Sequence, residues 1–185
     1  YIAVMDTDDI STSERFEKQV CFLENNTDID AVGTWISEIN EEGKITRDLV
    51  RYPLEHNDLV MLFMSRDPIP HVTSMFRKTF FIKGVKYLSS VTMAEDTLLW
   101  YQALLNDCKL ANIGFVGVQV RTSEDLFKRR ANWKKTIGLL KFRLFHINRD
   151  LNYGIKADIY AIAYFLMSIS PSFVKKLLYK LFYLF

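Results

Sequence analysis

The chain has 185 residues, with 24 Lys and Arg against 22 Asp and Glu, a formal net charge of +2, and only 7 Gly and 4 Pro. With 49% hydrophobic residues, this composition excludes disorder, collagen-like repeats and low-complexity linkers, which are poor in apolar residues or rich in Pro and Gly. What remains is a globular chain able to bury roughly two-thirds of its unfolded surface.

The charge is unevenly placed. Residues 1–120 carry 11 basic and 18 acidic side chains and residues 121–185 carry 13 and 4, so −7 and +9 make up the +2. An acidic body with a basic tail bears on the choice of partners. Cys21 and Cys108 are too few for a disulfide framework and have no metal-ligand neighbour at useful spacing, so they read as reduced thiols of an intracellular protein.

The first residues, Tyr1-Ile2-Ala3-Val4-Met5, read as a buried strand with no signal-peptide character, and a chain opening in mid-strand is expected to be the later part of a longer protein. The acidic turn Asp6-Thr7-Asp8-Asp9 follows. Ser11 and Glu14 have capping-box spacing, and Phe16, Val20 and Leu23 predict a helix to about Asn25. Ala31–Ile39 alternates as a strand, and Ile45 begins a return strand after a turn.

Asn57 caps a short predicted helix through Met64, which Pro68 and Pro70 close off. An extended segment at Val72–Arg77 precedes a helical turn around Phe80 and a loop through Ser90. A strong helix is predicted from Glu95 to Asn106, with Leu98, Leu99, Gln102 and Leu105 inward, and then a strand over Ala111–Val120. From about Asn132 the pattern is helical: Trp133–Ile147, Ile155–Ile169 and, after Pro171, Phe173–Phe185. These elements give an α/β portion over residues 1–130 and an amphipathic helical region over 131–185.

A strand ending in D-x-D puts carboxylates at the C-terminal edge of a sheet, where open α/β folds bind ligands. Asp6 and Asp8 suit Mg²⁺ or Mn²⁺ shared with substrate phosphates. An acidic loop favouring the next helix's dipole explains the same residues. Context bears on the choice. Residues 1–34, with the D-x-D, Arg15 and Gln19 in an R-x-x-x-Q helix and Asp28–Val32 before Gly33, resemble the central segment of family 2 glycosyltransferases of GT-A fold.

Ala94-Glu95-Asp96-Thr97-Leu98-Leu99-Trp100 resembles the second signature of that family, an E-D pair heading a helix about 90 residues later. Ile69-Pro70-His71-Val72-Thr73-Ser74-Met75-Phe76-Arg77-Lys78 resembles the segment between.

The resemblance implies the later part of a GT-A, Rossmann-like mixed sheet flanked by helices and followed by a helical tail. It further implies an inverting transfer of sugar from a nucleotide-diphosphate-sugar to a hydroxyl acceptor. In that scheme Asp8, helped by Asp6, holds Mg²⁺ or Mn²⁺, Asp9 faces the donor diphosphate, and Asp96 is the general base with Glu95 beside it. His71 and Trp100 fall on the acceptor side. His71 also reads as a structural hydrogen-bond partner.

Lys128, Arg129 and Arg130 are placed to hold the leaving diphosphate, or else form a solvated basic run. No Q-x-x-R-W occurs, which in that family implies one sugar per encounter. The first half-sheet of the family is not present before Asp6. The 185-residue chain alone is therefore expected to bind nucleotide-sugar poorly.

Ile159–Ile169 is too short to span a bilayer, whereas Lys175, Lys176 and Lys180 beside apolar residues suit an anionic membrane surface or a helix packed on protein. The expected setting is the cytoplasmic face of the plasma membrane, with a glycan or lipid-linked acceptor and no nucleic acid. A metal-dependent nucleotidyltransferase and a non-catalytic peripheral membrane module are the other readings.

Overall fold

A computed structural model describes residues 1–87, 95–122 and 133–170, with backbone alone at 133–135. The chain divides into two compact units, Tyr1–Ser123 and Glu124–Phe185.

The first unit is built on a mixed sheet of β1 (Ile2–Ala3), β2 (Ile10–Ser11), β3 (Ala31–Ile39), β4 (Ile45–Val50), β5 (Met75–Phe76) and β6 (Leu110–Arg121). The strand order is β1-β5-β3-β6-β2, with β4 also paired to β3. Its centre is the parallel β3–β6 ladder, running from Ala31 opposite Leu110 to Ile39 opposite Arg121. The register slips on either side of Trp35, so that β6 carries extra residues there. Gly117 lies in that stretch, and a Cβ on it would meet Thr34 Oγ1 at 2.4 Å, so only glycine permits the approach.

The apolar runs make these strands, and their side chains make the core. Leu23, Val32, Met75 and Ala111 form one cluster, and Ile36, Val50 and Val118 another. β1 departs from the reading of a buried strand. Only Ile2–Ala3 pair, and Tyr1, Ile2 and Met5 are about half exposed, because the described residues pair β1 with β5 alone.

The helices of this unit are α1 (Arg15–Asn25), α2 (His56–Leu62), α3 (Lys78–Ile82) and α4 (Glu95–Leu105). No capping box forms at α1, since Ser11 belongs to β2 and the N-cap Glu14 makes no side-chain cap bond. Its buried face is Arg15, Gln19 and Leu23, while Phe16 is 50% exposed. The cause is chemical. Beneath α1 lie the carbonyls of Val4, Val32, Thr73 and Ser74, to which the polar pair donates. On α4, Leu98 and Leu99 are buried as predicted, but Trp100 and Ala103 are buried where Leu105 is exposed.

At the start of α2, Glu55 rather than Asn57 is the N-cap residue, without a side-chain cap bond. His56 Nδ1 accepts the Leu110 N–H at 3.2 Å, which requires a neutral ring with its proton on Nε2. Burial, and then the Lys109 charge, push the His56 pKa down against the opposing pull of Asp30. The unfolded chain takes this proton near pH ~6.5 and the folded one only at lower pH. The contribution is thus complete above that pH and is lost as pH falls through the folded value. His56→Gln is expected to shrink the drop in melting temperature between about pH 7.5 and about pH 5.5. An unchanged drop would remove His56 from this account.

The second unit holds α5 (Trp133–Phe142), which widens into a π-helical turn over Arg143–Ile147 and continues to Asp150, and α6 (Ile155–Ile169). Between them Gly154 takes φ +71°, a left-handed value that suits glycine. Asp158, in the first turn of α6, accepts from Asn148 Nδ2 at 2.9 Å and Arg149 Nη2 at 2.7 Å. These bonds, Asn148's foremost, hold its pKa below the ordinary carboxylate range. Ala157 and Ala161 are buried, whereas Ile155, Ile159, Ile162, Leu166 and Ile169 form an exposed stripe. Among the described residues no helix is long and apolar enough to cross a membrane.

Candidate active site

β1 and β2 stand at opposite ends of the strand path, so residues Val4–Asp9 must cross its width. The D-T-D-D turn is tied at both ends. On one side the Val4 N–H donates to Ser74 O at 2.9 Å. On the other, Thr12 donates to Gly117 O through its backbone N–H at 2.9 Å and its hydroxyl at 3.2 Å.

Two buried or partly buried networks fix this arrangement. Arg15 is fully buried; its Nη2 donates to Val4 O at 2.7 Å and its Nε to Gln19 Oε1 at 3.0 Å. Gln19 Nε2 in turn donates to Thr73 O at 2.7 Å and Val32 O at 3.1 Å. Burial lowers the Arg15 pKa to about 10, which leaves the guanidinium charged at neutral pH. At the far end, Arg121 donates from Nε to Asp8 O at 2.9 Å and from Nη1 to the carbonyls of Asn40 and Glu41, both at 2.7 Å.

The turn's carboxylates have different surroundings. Asp6 and Asp8 are exposed, while Asp9 is only 8% exposed. Asp9 Oδ1 accepts the Arg121 N–H at 2.8 Å. Burial raises the Asp9 pKa, and the charges of Asp8 and Asp6 add to it. Asp9 therefore serves the turn's architecture through Oδ1.

Asp96 heads α4, whose first turn is tethered by Thr97 Oγ1 to both carboxylate oxygens of Asp67 at 2.9 and 3.1 Å. Asp96 Oδ1 lies 3.4 Å from His71 Nδ1, an ion pair when the imidazole is protonated. The Asp96 side chain is 49% exposed, yet burial is the first influence on it and raises its pKa. His71 opposes this rise, whereas Glu95 and Asp6 add to it. Asp6, His71, Glu95 and Asp96 thus share one electrostatic neighbourhood. Glu95 itself is exposed.

His71 stands in a 3₁₀ turn, His71–Thr73, that is itself locked in place. Thr73 Oγ1 donates to Pro70 O at 2.8 Å and accepts the Thr34 N–H at 3.1 Å. The other ring nitrogen, Nε2, lies 2.9 Å from the Tyr87 hydroxyl. Periodicity and motif did not single out Tyr87, and its only sequence signal was its place just before the segment leading to Glu95.

Trp100 does not reach an acceptor surface. It is fully buried, with ring centroids 5.9 Å from Phe76 and 6.5 Å from Phe80. Lys128, Arg129 and Arg130 lie outside the described residues. Among the described residues, no group of three or more His, Cys, Asp and Glu side chains is arranged to hold a metal. The available donor set is Asp6 and Asp8, hard oxygen ligands of the kind that share Mg²⁺ or Mn²⁺ with phosphate oxygens.

No protein-family model matches the chain. It is 33% identical over 146 residues to the amylovoran biosynthesis glycosyltransferase AmsE of Erwinia amylovora, covering 77% of this chain and 54% of that protein. Identity is 29% over 136 residues to the UDP-Gal:alpha-D-GlcNAc-diphosphoundecaprenol beta-1,3-galactosyltransferase of Escherichia coli, covering 74% of this chain and 49% of the relative. The chain thus spans about half the length of these curated relatives. Among solved structures, residues 1–349 of S. aureus TarS in complex with UDP-GlcNAc align with a TM-score of 0.51 at 14% identity. That alignment covers 95% of this chain and 59% of the TarS chain, and it bears on fold alone.

Proposed function

Because the chain belongs to the glycosyltransferases, we propose that it carries the metal and acceptor half of an inverting, non-processive family 2 enzyme of surface-polysaccharide synthesis. The donor is a nucleotide-diphosphate-sugar, and the acceptor is a hydroxyl of a glycan, carried on a lipid. The observation that carries this reading is the pairing of Asp96 with His71 at 3.4 Å, within the electrostatic reach of Asp6 from the D-x-D turn.

Asp96 takes the proton of the acceptor hydroxyl as that oxygen attacks the anomeric carbon. A carboxylate half open to solvent and half enclosed suits this role, since its raised pKa makes it a stronger base. Glu95 and Asp6 concentrate negative charge beside it. Asp6 and Asp8, held outward by the Arg15 and Arg121 networks, bind Mg²⁺ or Mn²⁺. When bound, that ion offsets the charge developing on the departing diphosphate. The basic residues Lys128, Arg129 and Arg130 are assigned to the same leaving group from sequence.

The exposed apolar stripe of α6 and the lysines of residues 173–180 support a seat on the cytoplasmic face of an anionic membrane, where lipid-linked acceptors reside.

The test is product analysis on the complete protein with a panel of nucleotide-sugars, with and without chelator. Release of nucleoside diphosphate that stops with EDTA and returns with Mn²⁺ is the expected result, and pyrophosphate release instead would identify a nucleotidyltransferase. Asp8→Asn is expected to raise the metal concentration needed for half-maximal activity by about tenfold or more, through loss of one charged oxygen ligand. Unchanged metal dependence would remove Asp8 from the ligand set.

A further inference from the structure

We propose that Tyr87 is a positioning residue for the general base: its hydroxyl fixes the tautomer of His71 so that Nδ1–H points at Asp96. The proposal rests on the reading of Asp96 as the base.

A neutral imidazole carries one proton, and whichever nitrogen accepts a hydrogen bond leaves the other to donate. The Tyr87 hydroxyl lies 2.9 Å from His71 Nε2, and Asp96 Oδ1 lies 3.4 Å from Nδ1, so the three groups form a chain. Burial, and then the Asp96 charge, raise the Tyr87 pKa to about 12. The phenol thus keeps its proton at neutral pH and, with Nδ1 turned to a carboxylate that can only accept, it donates to Nε2. The ring proton then sits on Nδ1, facing the carboxylate. The 3.4 Å separation is of the kind that tightens when substrate binds.

The fold supports this geometry independently. The Tyr87 and His71 rings meet edge to face, with centroids 5.9 Å apart and planes at 82°. Gln102, two turns along the helix that Asp96 heads, grips the residue before Tyr87 from both sides. Its Nε2 donates to Lys86 O at 2.9 Å, and its Oε1 accepts the Lys86 N–H at 3.4 Å. One helix therefore carries both the base and the clamp that places Tyr87. Val85, buried to 1% exposure, anchors the same stretch.

The consequence for the reaction is directional. With Oδ1 accepting from His71, the acceptor proton goes to Oδ2, and neither Tyr87 nor His71 gives up a proton. Beside Asp96 stands His71, the charges of Glu95 and Asp6 act on it, and its own charge acts on Tyr87.

The experiment is Tyr87→Phe in the complete protein, which keeps the ring contact and removes the hydroxyl, with thermal melting to confirm folding. Long-range ¹H–¹⁵N NMR on histidine-labelled protein, at a pH where His71 is neutral, reads the tautomer directly. The wild type is expected to carry the His71 proton on Nδ1, and Tyr87→Phe to shift population toward Nε2–H. Its kcat is expected to fall about 2- to 12-fold, the loss of one ordinary hydrogen bond, with KM for the acceptor little changed. A proton on Nε2 in the wild type, or the same tautomer in both proteins, overturns the inference. Failure of the underlying reading has its own signature: Asp96→Asn would retain sugar transfer, whatever the tautomer of His71.

Discussion

Asp96→Asn is expected to lower sugar transfer in the complete protein by about 10²–10⁴-fold, the usual contribution of a positioned general base. The side chain stays nearly isosteric, and Asn keeps an oxygen for the His71 Nδ1–H, so neither α4 nor the 3₁₀ turn need move. What disappears is the lone proton acceptor that the acceptor hydroxyl requires. Donor binding depends on other groups, so its affinity is expected to hold. The loss is then one of kcat, and KM for the nucleotide-sugar changes little. Nucleoside diphosphate release with saturating acceptor, beside an equilibrium titration of the donor, measures both. Activity within a few-fold of wild type would exclude Asp96 as the base.

The second large effect is on stability. Gly33 sits in β3 where a Cβ would lie 2.2 Å from Ile69 Cγ2, 2.4 Å from Asn112 Oδ1 and 3.0 Å from Thr73 Oγ1. None of these neighbours is a free end that can swing away. Ile69 and Thr73 are fully buried, and Asn112 Nδ2 is bound to the carbonyls of Pro53 and Pro68 at 2.8 and 3.2 Å. Gly33→Ala must therefore displace the segment that leads into His71, at ~1–3 kcal/mol for overpacking a filled core. A melting temperature lower by roughly 2–12 °C is expected for a chain of this size. Activity should fall beyond what the unfolded fraction explains, since Thr73 fixes the turn that holds His71. A melting temperature within a degree of wild type would show that β3 and the Ile69–Thr73 segment can part at little cost.

These two positions mark what the sequence could disclose. The β3 and β6 strands were legible because their apolar patterns are long, and α4 because its acidic start and apolar body are both local features. The partnership of Asp96 with His71 came through motif resemblance, and no periodicity connects residues 25 apart through a sheet edge. The Tyr87 hydroxyl was invisible for the same reason.

α1 misled in a more instructive way. A rule that counts apolar spacing turns Phe16 inward, but the surface under the helix is a row of carbonyls, so Arg15 and Gln19 are buried instead. The family resemblance puts Trp100 on the acceptor side, yet on α4 it falls on the core face against Phe76 and Phe80. Asp9 differed from Asp6 and Asp8 only through Arg121, 112 residues away, whose backbone claims its carboxylate.

That long reach has a consequence for how the protein comes into being. During synthesis the D-T-D-D turn leaves the ribosome before the residues that anchor it on the β6 side, Gly117 and Arg121, which are made more than a hundred residues later. Until then Asp8 and Asp9 lack the partners that set their different surroundings, and the nascent acidic turn has no fixed arrangement of its carboxylates. On the proposed reading of Asp6 and Asp8, the shape that would hold the ion is thus acquired when β6 docks, which couples competence to bind it to formation of the β3–β6 ladder.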